Sequence, residues 1–567
     1  MKKIRWQLVI IFLTGLVVGI LLLSDTSSGP IQMFESQPTM GGIYKEGLVG
    51  NIQRLNPLLS YYNNADQDVC RLIYSGLIKF DHRGLPISDL AVDWAISMDG
   101  TSYNFALNPD AKWHDGQPVT ADDVVFTYEM LKQGNGYLPS DLVDFWNDIK
   151  IQTIDTQTVQ FTLEEAYSPF LSYLSIGILP KHIWGNMTFD QMVDSKVNIQ
   201  PIGSGPFVLD ELLLTGGNID GVILKNNSLY YGDKPYLEEV EFYYYADSVL
   251  AFQAYQQGLI DGISYLSEEV LGSALTEPDL SLYSSRLPIE SMVFLNLDNS
   301  DVDFFQNTDV RKALLMGLNR TKIVNDILNG QAIIAHGPIL SGNWAYYENI
   351  AKVEYDSYKA IETLKTAGYI LANEQDQVRS KDGKTINFTM LYPDDDLHRL
   401  IAEAIQQNWA AINVLVNLEA VPYDELINVR LENRDYEAAL IDLNLSYVPD
   451  PDPYAFWDQT QVSTGQNYSQ WNNRTVSQYL ETARVEMDQD ERERLYRNFQ
   501  VVFAEELPAL PLYNSIYNFA VSARVKGIST GPIYKSSDRF QNIESWYLVS
   551  RATLSEAFIT STEESSE

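Results

Sequence analysis

Trp113–Leu131 reads WHDGQPVTADDVVFTYEML and follows Ser102–Leu107, SYNFAL. SYNFAL alternates as a strand does, and Asp115-Gly116 is a turn signal. After a short extended piece a helix begins. Thr120 suits its N-cap, because a hydroxyl can accept a bond from a free backbone N–H of the first turn. Asp122 and Asp123 lie near the positive end of the helix dipole. Val124, Val125, Tyr128 and Leu131 recur at helical spacing and give one apolar face. The stretch therefore predicts strand, turn and capped helix packed on a sheet, a mixed α/β unit.

Outward from this stretch the same mixture continues. Strands are predicted over Thr158–Leu163, Gly221–Lys225, Glu239–Tyr245, Ser291–Leu297, Thr385–Leu391 and Leu415–Ala420. Helices are predicted over Val310–Leu328, Ser357–Ala367, Asp396–Ile412, Tyr423–Asn433 and Arg492–Glu506. From about Met292 onward the two types alternate, as in an α/β lobe with a partly parallel sheet. Asn307 or Thr308 caps the helix that starts at Val310, and Gly330 can end it in the left-handed region. Arg311, Lys312 and Arg320 are expected on its solvated side.

A chain of 567 residues is too long for one core, so two or three domains are expected. The formal charge of −37 repels nucleic acid and anionic lipid. With 35 Tyr and 10 Trp, flat apolar faces with polar handles are available for a binding cleft. Cys70 is the single cysteine, which excludes an intrachain disulfide and a thiolate cluster. Its apolar-flanked run DVCRLIYSGLI predicts a buried, inert thiol.

The first residues form a targeting element. Lys2, Lys3 and Arg5 precede Trp6 and the uncharged apolar run Leu8–Leu23. As a helix, Trp6–Leu23 would be roughly 27 Å long, near the hydrocarbon thickness. The basic flank stays in the cytoplasm, so the remainder is exported. An uncleaved anchor is favoured, with a cleaved signal peptide as the alternative. Ser24–Thr39 is polar, with Gly29 and Pro30, and reads as a tether of roughly 20 Å reach.

Motifs for chemistry are sparse. Pro201–Phe207, PIGSGPF, lacks the lysine and spacing of a phosphate loop and reads as a tight turn. The five histidines (82, 114, 182, 336 and 398) share no ligand-like spacing, and no HExxH is present. Asp450-Pro-Asp452-Pro alternates acids but lacks the rest of an EF-hand loop. No nucleophile elbow or SxxK occurs. Neither cofactor nor catalytic set is implied. An enzyme would have to be a carboxylate-dependent glycoside hydrolase, resting on acid and aromatic content alone.

A set of longer segments adds a resemblance. GGIYKEGLVGNIQRLNPLLS, LAVDWAISMDGTSYNFALNPDAKWHDGQPVTADDVVFTYEML, PIGSGPF, NTDVRKALLMGLNRTKIVNDILNGQA and RDYEAALIDLNLSYVPDPDPYAFW follow one another in the order of the extracellular solute-binding proteins of family 5, which feed ABC importers for dipeptides and oligopeptides. The chain resembles that family over about Gly41 to Leu548. The resemblance implies a two-lobed α/β fold of the periplasmic-binding-protein type, with a subdomain inserted in the first lobe. The expected division is 1–23 anchor or signal, 24–40 linker, 41–74 first lobe, 75–198 inserted subdomain, 199–283 first lobe, 284–512 second lobe, 513–552 first lobe and 553–567 acidic tail.

The function implied is capture of peptides between the lobes and delivery to a permease and its ATPase, by a monomer without enzymatic activity. An oligosaccharide receptor is the alternative. In peptide-binding members an aspartate ahead of the DP-containing loop holds the free amine of the peptide. That position is Tyr447 here, with Asp450 or Asp452 as substitutes. The family's pocket segments correspond to Leu55–Asn63, Ser291–Leu297 and Tyr447–Tyr454. The candidate contacts are Tyr61, Tyr62, Asn296, Tyr447, Asp450 and Trp457.

Overall fold

The computed structural model describes residues 38–549 except 374, 446, 447 and 532. The expected anchor, most of the linker, the acidic tail and Tyr447 lie outside the described residues. Among the described residues no helix is long and apolar enough to cross a membrane.

The chain opens with β1 (Ile43–Val49) and α1 (Asn64–Ile73). An inserted unit follows, with β2 (Ala91–Ile96), β3 (Ser102–Leu107), α2 (Ala121–Leu131), β4 (Lys150–Asp155) and β5 (Thr158–Thr162). The chain then returns through β6 (Phe207–Thr215), β7 (Asn218–Asn226), β8 (Glu239–Tyr245), α3 (Ser248–Gln256) and β9 (Gly262–Ile263). The long strand β10 (Leu280–Leu295) leads to α4 (Thr308–Met316), β11 (Ala332–Ile334), α5 (Ser357–Thr366), β12 (Asn387–Pro393) and α6 (Asp396–Ala410). The last part holds β13 (Leu415–Val421), β14 (Ala438–Asn444), α7 (Arg474–Val485), α8 (Gln489–Glu506) and β15 (Ala509–Ser522).

One eleven-stranded sheet runs through both lobes in the order β13-β12-β14-β10-β15-β9-β1-β8-β7-β6, with β11 also on β15. β12 pairs parallel with β13 and with β14, as the alternation of helices and strands predicts. The lobes meet on β10 and β15. Their antiparallel ladder joins Leu280–Arg286 to Ser522–Ile516 and, after a register shift between Arg286 and Glu290, joins Glu290–Phe294 to Asn514–Ala509. Pro288 lies in the shifted stretch, where its missing N–H costs no ladder bond.

Beyond the shift, the strand reads MVFL and is buried on both faces. Met292 and Phe294 pack with Trp457 and Tyr468, whereas Val293 and Leu295 pack with Phe388 and Trp409. Before the shift, Tyr283 and Leu287 pack on the separate core of β1, α1 and the inserted unit. The same change occurs on β15 between Leu512 and Tyr517.

The segment that opens the sequence reading is strand, turn and helix. β2-β3-β5-β4 forms a four-stranded sheet, and Gly116 turns at φ +88. Val124, Tyr128 and Leu131 are buried and Val125 is half-buried. The cap differs in direction. The Asp123 carboxylate accepts from the backbone N–H and hydroxyl of Thr120 at 2.8 and 2.9 Å. In Pro201–Phe207, Gly203 lies so close to α1 that a Cβ would meet the Ile73 carbonyl at 1.9 Å. The segment is a clamped return, without a phosphate-loop form.

Three expectations are corrected. The helix expected over Val310–Leu328 is two helices, because Asn319 caps a second one at Arg320 by accepting from Lys322 N–H at 2.9 Å. Tyr423–Asn433 is a short α turn followed by a π-helical turn over Leu426–Leu431. Arg311 and Arg320 are buried, at 4 and 5 % exposure. Arg311 donates to the carbonyls of Glu506 and Leu507 where α8 ends, serving the unpaired acceptors and negative dipole end there. Arg320 donates to the carbonyls of Ala335 and Pro511 at 2.7 and 3.0 Å. Burial pulls both guanidinium pKa values down to about 10.

Candidate functional site

The loop between β1 and α1 carries Leu55–Asn63 to the junction of the lobes. Its backbone is fixed from several sides. Tyr74 Oη donates to Leu55 O at 3.1 Å, Leu55 N–H donates to Asn198 O at 2.8 Å, and Gln67 Nε2 donates to the carbonyls of Ser60 and Tyr61 at 3.0 and 2.7 Å. Tyr61 is half-buried and Tyr62 is 75 % exposed. Their rings meet edge to face at 4.9 Å.

From the second lobe comes the loop Pro449–Pro453. Asp450 is 5 % exposed and takes two bonds from Arg492 of α8, at 2.8 and 3.1 Å. The guanidinium lies 5.0 Å from the centre of the Trp344 ring. Asp452 faces the other way, toward the inserted unit. It accepts from Tyr167 Oη at 3.2 Å and pairs with Arg484 Nε at 3.1 Å. Arg484 also lies over the rings of Tyr454 and Tyr167, at 4.2 and 5.0 Å. Burial raises the Asp452 pKa against the opposing pull of Arg484.

The structure engages three of the candidates in the protein itself. Asn296 is 2 % exposed. Its Nδ2 donates to the carbonyls of Arg434 and Tyr436 at 3.1 and 2.9 Å, and its Oδ1 accepts from Asp298 N–H and from Gln470. Trp457 is 1 % exposed, stacked on Phe294 at 5.7 Å and 6°, with Phe503 edge-on at 4.8 Å. Asp450 is bound to Arg492 as described. In this arrangement Asn296 pins the end of β10, Trp457 fills the second-lobe core, and Asp450 anchors its loop. Tyr61 and Tyr62 follow Ser60 on the early loop, and Tyr447 lies outside the described residues.

A cavity of about 120 Å³ opens between the loops. Its walls include Pro57 and Ser60 of the early loop, Phe80 and Ile176 of the inserted unit, Pro449 of the second lobe and Tyr534 of the last segment. Asn343 ties two of these walls together, donating to Pro449 O at 2.8 Å and to Tyr534 Oη at 3.1 Å. A wider groove of about 1170 Å³ adjoins it, lined by residues such as Asp89, Tyr230, Tyr231 and Lys234. That groove takes no wall from residues 284–512. Only a solute that touches both lobes can bias their relative position, so the smaller cavity is the better candidate despite its size. Arg71 and Lys535 also line it, and sequence reasoning missed both. Arg71 had a signal, as a lone cation in the apolar run DVCRLIYSGLI. Lys535 had none, because 464 residues separate it from Arg71 and only the fold unites them. Among the described residues no group of three or more His, Cys, Asp or Glu is placed to hold a metal ion.

Comparison with known proteins agrees with this architecture. The family model described as bacterial extracellular solute-binding proteins, family 5 Middle, matches residues 86–466. The oligopeptide-binding protein AppA of Bacillus subtilis (strain 168) is 27 % identical over 544 residues, covering 93 % of this chain and 95 % of AppA. Its structure in complex with a nonapeptide superposes with a TM-score of 0.61 over 91 % of this chain and all of that one. The probable D,D-dipeptide-binding periplasmic protein DdpA of Escherichia coli (strain K12) is 28 % identical over 510 residues, 86 % of this chain and 91 % of DdpA. NikZ from Campylobacter jejuni, solved in complex with Ni(L-His), is 27 % identical with a TM-score of 0.63, covering 89 % of this chain and 99 % of NikZ.

Proposed function

The chain belongs to the bacterial extracellular solute-binding proteins of family 5, and from that premise we propose that it is the receptor of an ABC importer for peptides. It captures a peptide between its lobes and hands it to a permease with its ATPase. It binds and releases the solute without chemical change. The lobes are assigned as 41–74, 199–283 and 513–552 for the first, 75–198 for its insertion and 284–512 for the second. Residues 1–23 tether the receptor to the cytoplasmic membrane, with the lobes outside the cytoplasm.

The observation that carries this reading is the cavity walled by both lobes and the insertion, in a chain of this family. Its ligand contacts are drawn from the early loop, including Tyr61 and Tyr62, from the loop that contains Tyr447 and Pro449, and from Tyr534. Aromatic rings with hydroxyl edges suit peptide backbone and apolar side chains together.

The test is mass spectrometry of what the purified protein releases on mild denaturation, followed by thermal unfolding with that solute added back. A peptide at 100 times its dissociation constant should add about 2.7 kcal/mol of stability. Release of an oligosaccharide would replace the peptide assignment. Turnover of the released solute by catalytic amounts of protein would overturn the receptor role.

A further inference from the structure

The cavity between the lobes carries charge in an unusual state for this chain. Acids outnumber bases 76 to 39, and the five buried arginines all have partners. Arg311, Arg320 and Arg379 donate to backbone carbonyls, while Arg492 and Arg539 bind carboxylates. Arg71 and Lys535 both line the cavity. Among the described residues neither the Arg71 guanidinium nor the Lys535 ammonium takes part in a hydrogen bond or a salt bridge.

The acids on the same walls are engaged elsewhere. Asp81 Oδ1 accepts from the N–H groups of Arg83 and Leu85 at 2.8 and 2.9 Å. Asp538 Oδ2 accepts from the N–H groups of Tyr534 and Lys535 at 3.0 and 2.9 Å. Both carboxylates close turns. Asp89 lies within electrostatic range of Arg71, but its carboxylate accepts from Tyr231 Oη at 2.5 Å. Burial depresses the Lys535 pKa, with Arg71 adding to the effect and Asp538 opposing it. Two cations on the wall of one partly desolvated cavity repel each other, and an anion bound by both relieves both penalties. The remaining wall, with Pro57, Phe80, Ile176 and Pro449, suits an apolar body attached to that anion.

We propose that Arg71 and Lys535 form an anion subsite that takes a carboxylate of the bound solute, so that the receptor selects carboxylate-bearing solutes. The inference rests on the receptor reading and specifies the ligand class for the same cavity. The carboxylate can be the C-terminus of a peptide, an acidic side chain, or part of a small dicarboxylic acid. All three offer two oxygens to a guanidinium and an ammonium.

The experiment uses the full chain in detergent, freed of bound solute by unfolding and refolding. Four probes are titrated by calorimetry. They are a pool of neutral di- to pentapeptides with free C-termini, the same pool C-terminally amidated, an amidated pool containing one Glu, and succinate. Each is tested against wild type, Arg71→Gln, Lys535→Gln and the charge-preserving Lys535→Arg.

Wild type should bind at least one carboxylate probe ten times or more tighter than the amidated neutral pool. Each Gln variant should lose at least tenfold for that probe and keep its affinity for the amidated pool. Lys535→Arg should retain most of the preference, and it serves as the test should Arg71→Gln fail to fold. Preference for the free-acid pool assigns the terminal carboxylate, the Glu pool a side chain, and succinate alone a non-peptide acid. Succinate binding with no peptide binding would support the subsite while overturning the peptide reading. Equal binding of free-acid and amidated pools, or full affinity in both Gln variants, would overturn the subsite and leave the receptor role standing. No binding of any probe by wild type would overturn both the subsite and the peptide assignment.

Discussion

Two charged walls face the junction of the lobes, and they handle charge in opposite ways. On the Pro449–Pro453 loop each carboxylate has its own arginine, Asp450 with Arg492 and Asp452 with Arg484. On the wall built by α1 and the last segment, neither Arg71 nor Lys535 has a hydrogen bond or salt bridge to a carboxylate among the described residues. The first wall pairs its charges within the protein. The second is incomplete, and incompleteness at a cleft is what a binding site shows before it is filled. Within the first wall there is a further division. Asp450 holds the loop to its own lobe, whereas Asp452 reaches Tyr167 of the inserted unit. Two aspartates of one PDPDP run thus serve a core and a lobe contact.

The largest effect expected from this contrast is on Asp450. Asp450→Ala leaves the buried Arg492 unpaired, and loss of one partner of a buried pair costs about 3–5 kcal/mol. Urea unfolding should show that loss. Replacing both, with Asp450→Leu and Arg492→Met together, should recover most of it, since the penalty comes from the orphaned charge. A loss under about 1 kcal/mol in Asp450→Ala would deny the anchoring role and return Asp450 to the list of solute contacts.

A middling effect is expected at Asn296. Its side chain serves two carbonyls and one N–H at the end of β10. Asn296→Ala should destabilise by about 1–3 kcal/mol through buried groups left without partners. Unfolding curves that match wild type would remove it from the fold's polar frame.

These residues show what was legible in the sequence and what was not. Periodicity and capping read the strand over Glu239–Tyr245, the strand over Leu415–Ala420, which extends one residue further to Val421, and the helix from Asp396, because local hydrogen bonding and one apolar face decide them. Of the three segments that the resemblance points to, the early loop and the DP-containing loop give Pro57, Ser60 and Pro449 to the cavity wall, whereas Ser291–Leu297 gives it no residue. The roles of single side chains escaped. Asp450, Asn296 and Trp457 looked available because their partners are distant in sequence. Arg492 is forty-two residues from Asp450, and the carbonyls that hold Arg311 are 195 and 196 residues away. Sequence pattern shows that a polar residue is buried or exposed only when the partner is local.

A smaller effect should follow from Tyr167→Phe, which removes a hydroxyl that reaches Asp452 across the lobe contact. Arg484 stays paired with Asp452, so no charge is orphaned. The loss should be about 0.5–1.5 kcal/mol in unfolding. Solute affinity should change with it if the contact differs between solute-bound and free states. An unchanged affinity would make the contact a fixed part of the frame.

The smallest effect concerns pH, and it lies in the second lobe away from both walls. His398 Nδ1 is 2.6 Å from Asp395 and its Nε2 is 3.4 Å from Asp442. Burial pushes the imidazole pKa down, but the charges and hydrogen bonds of Asp442 and Asp395 outweigh it and the net shift is upward. Burial also opposes ionisation of Asp395, yet its bonds to the His398 backbone and ring lower its pKa overall. The signs follow from proton linkage. A raised histidine pKa stabilises the fold fully below the unfolded value of about 6.5 and loses that contribution as pH rises through the folded value. The depressed Asp395 stabilises above about 3.9 and loses its contribution as pH falls through its folded value. Between these limits both terms are present. Unfolding followed from pH 5 to 9 should therefore decline above about 6.5, and His398→Gln should flatten that decline. A variant that keeps the full slope would show that another group sets it and that the 2.6 Å contact to Asp395 carries no charge in the folded protein.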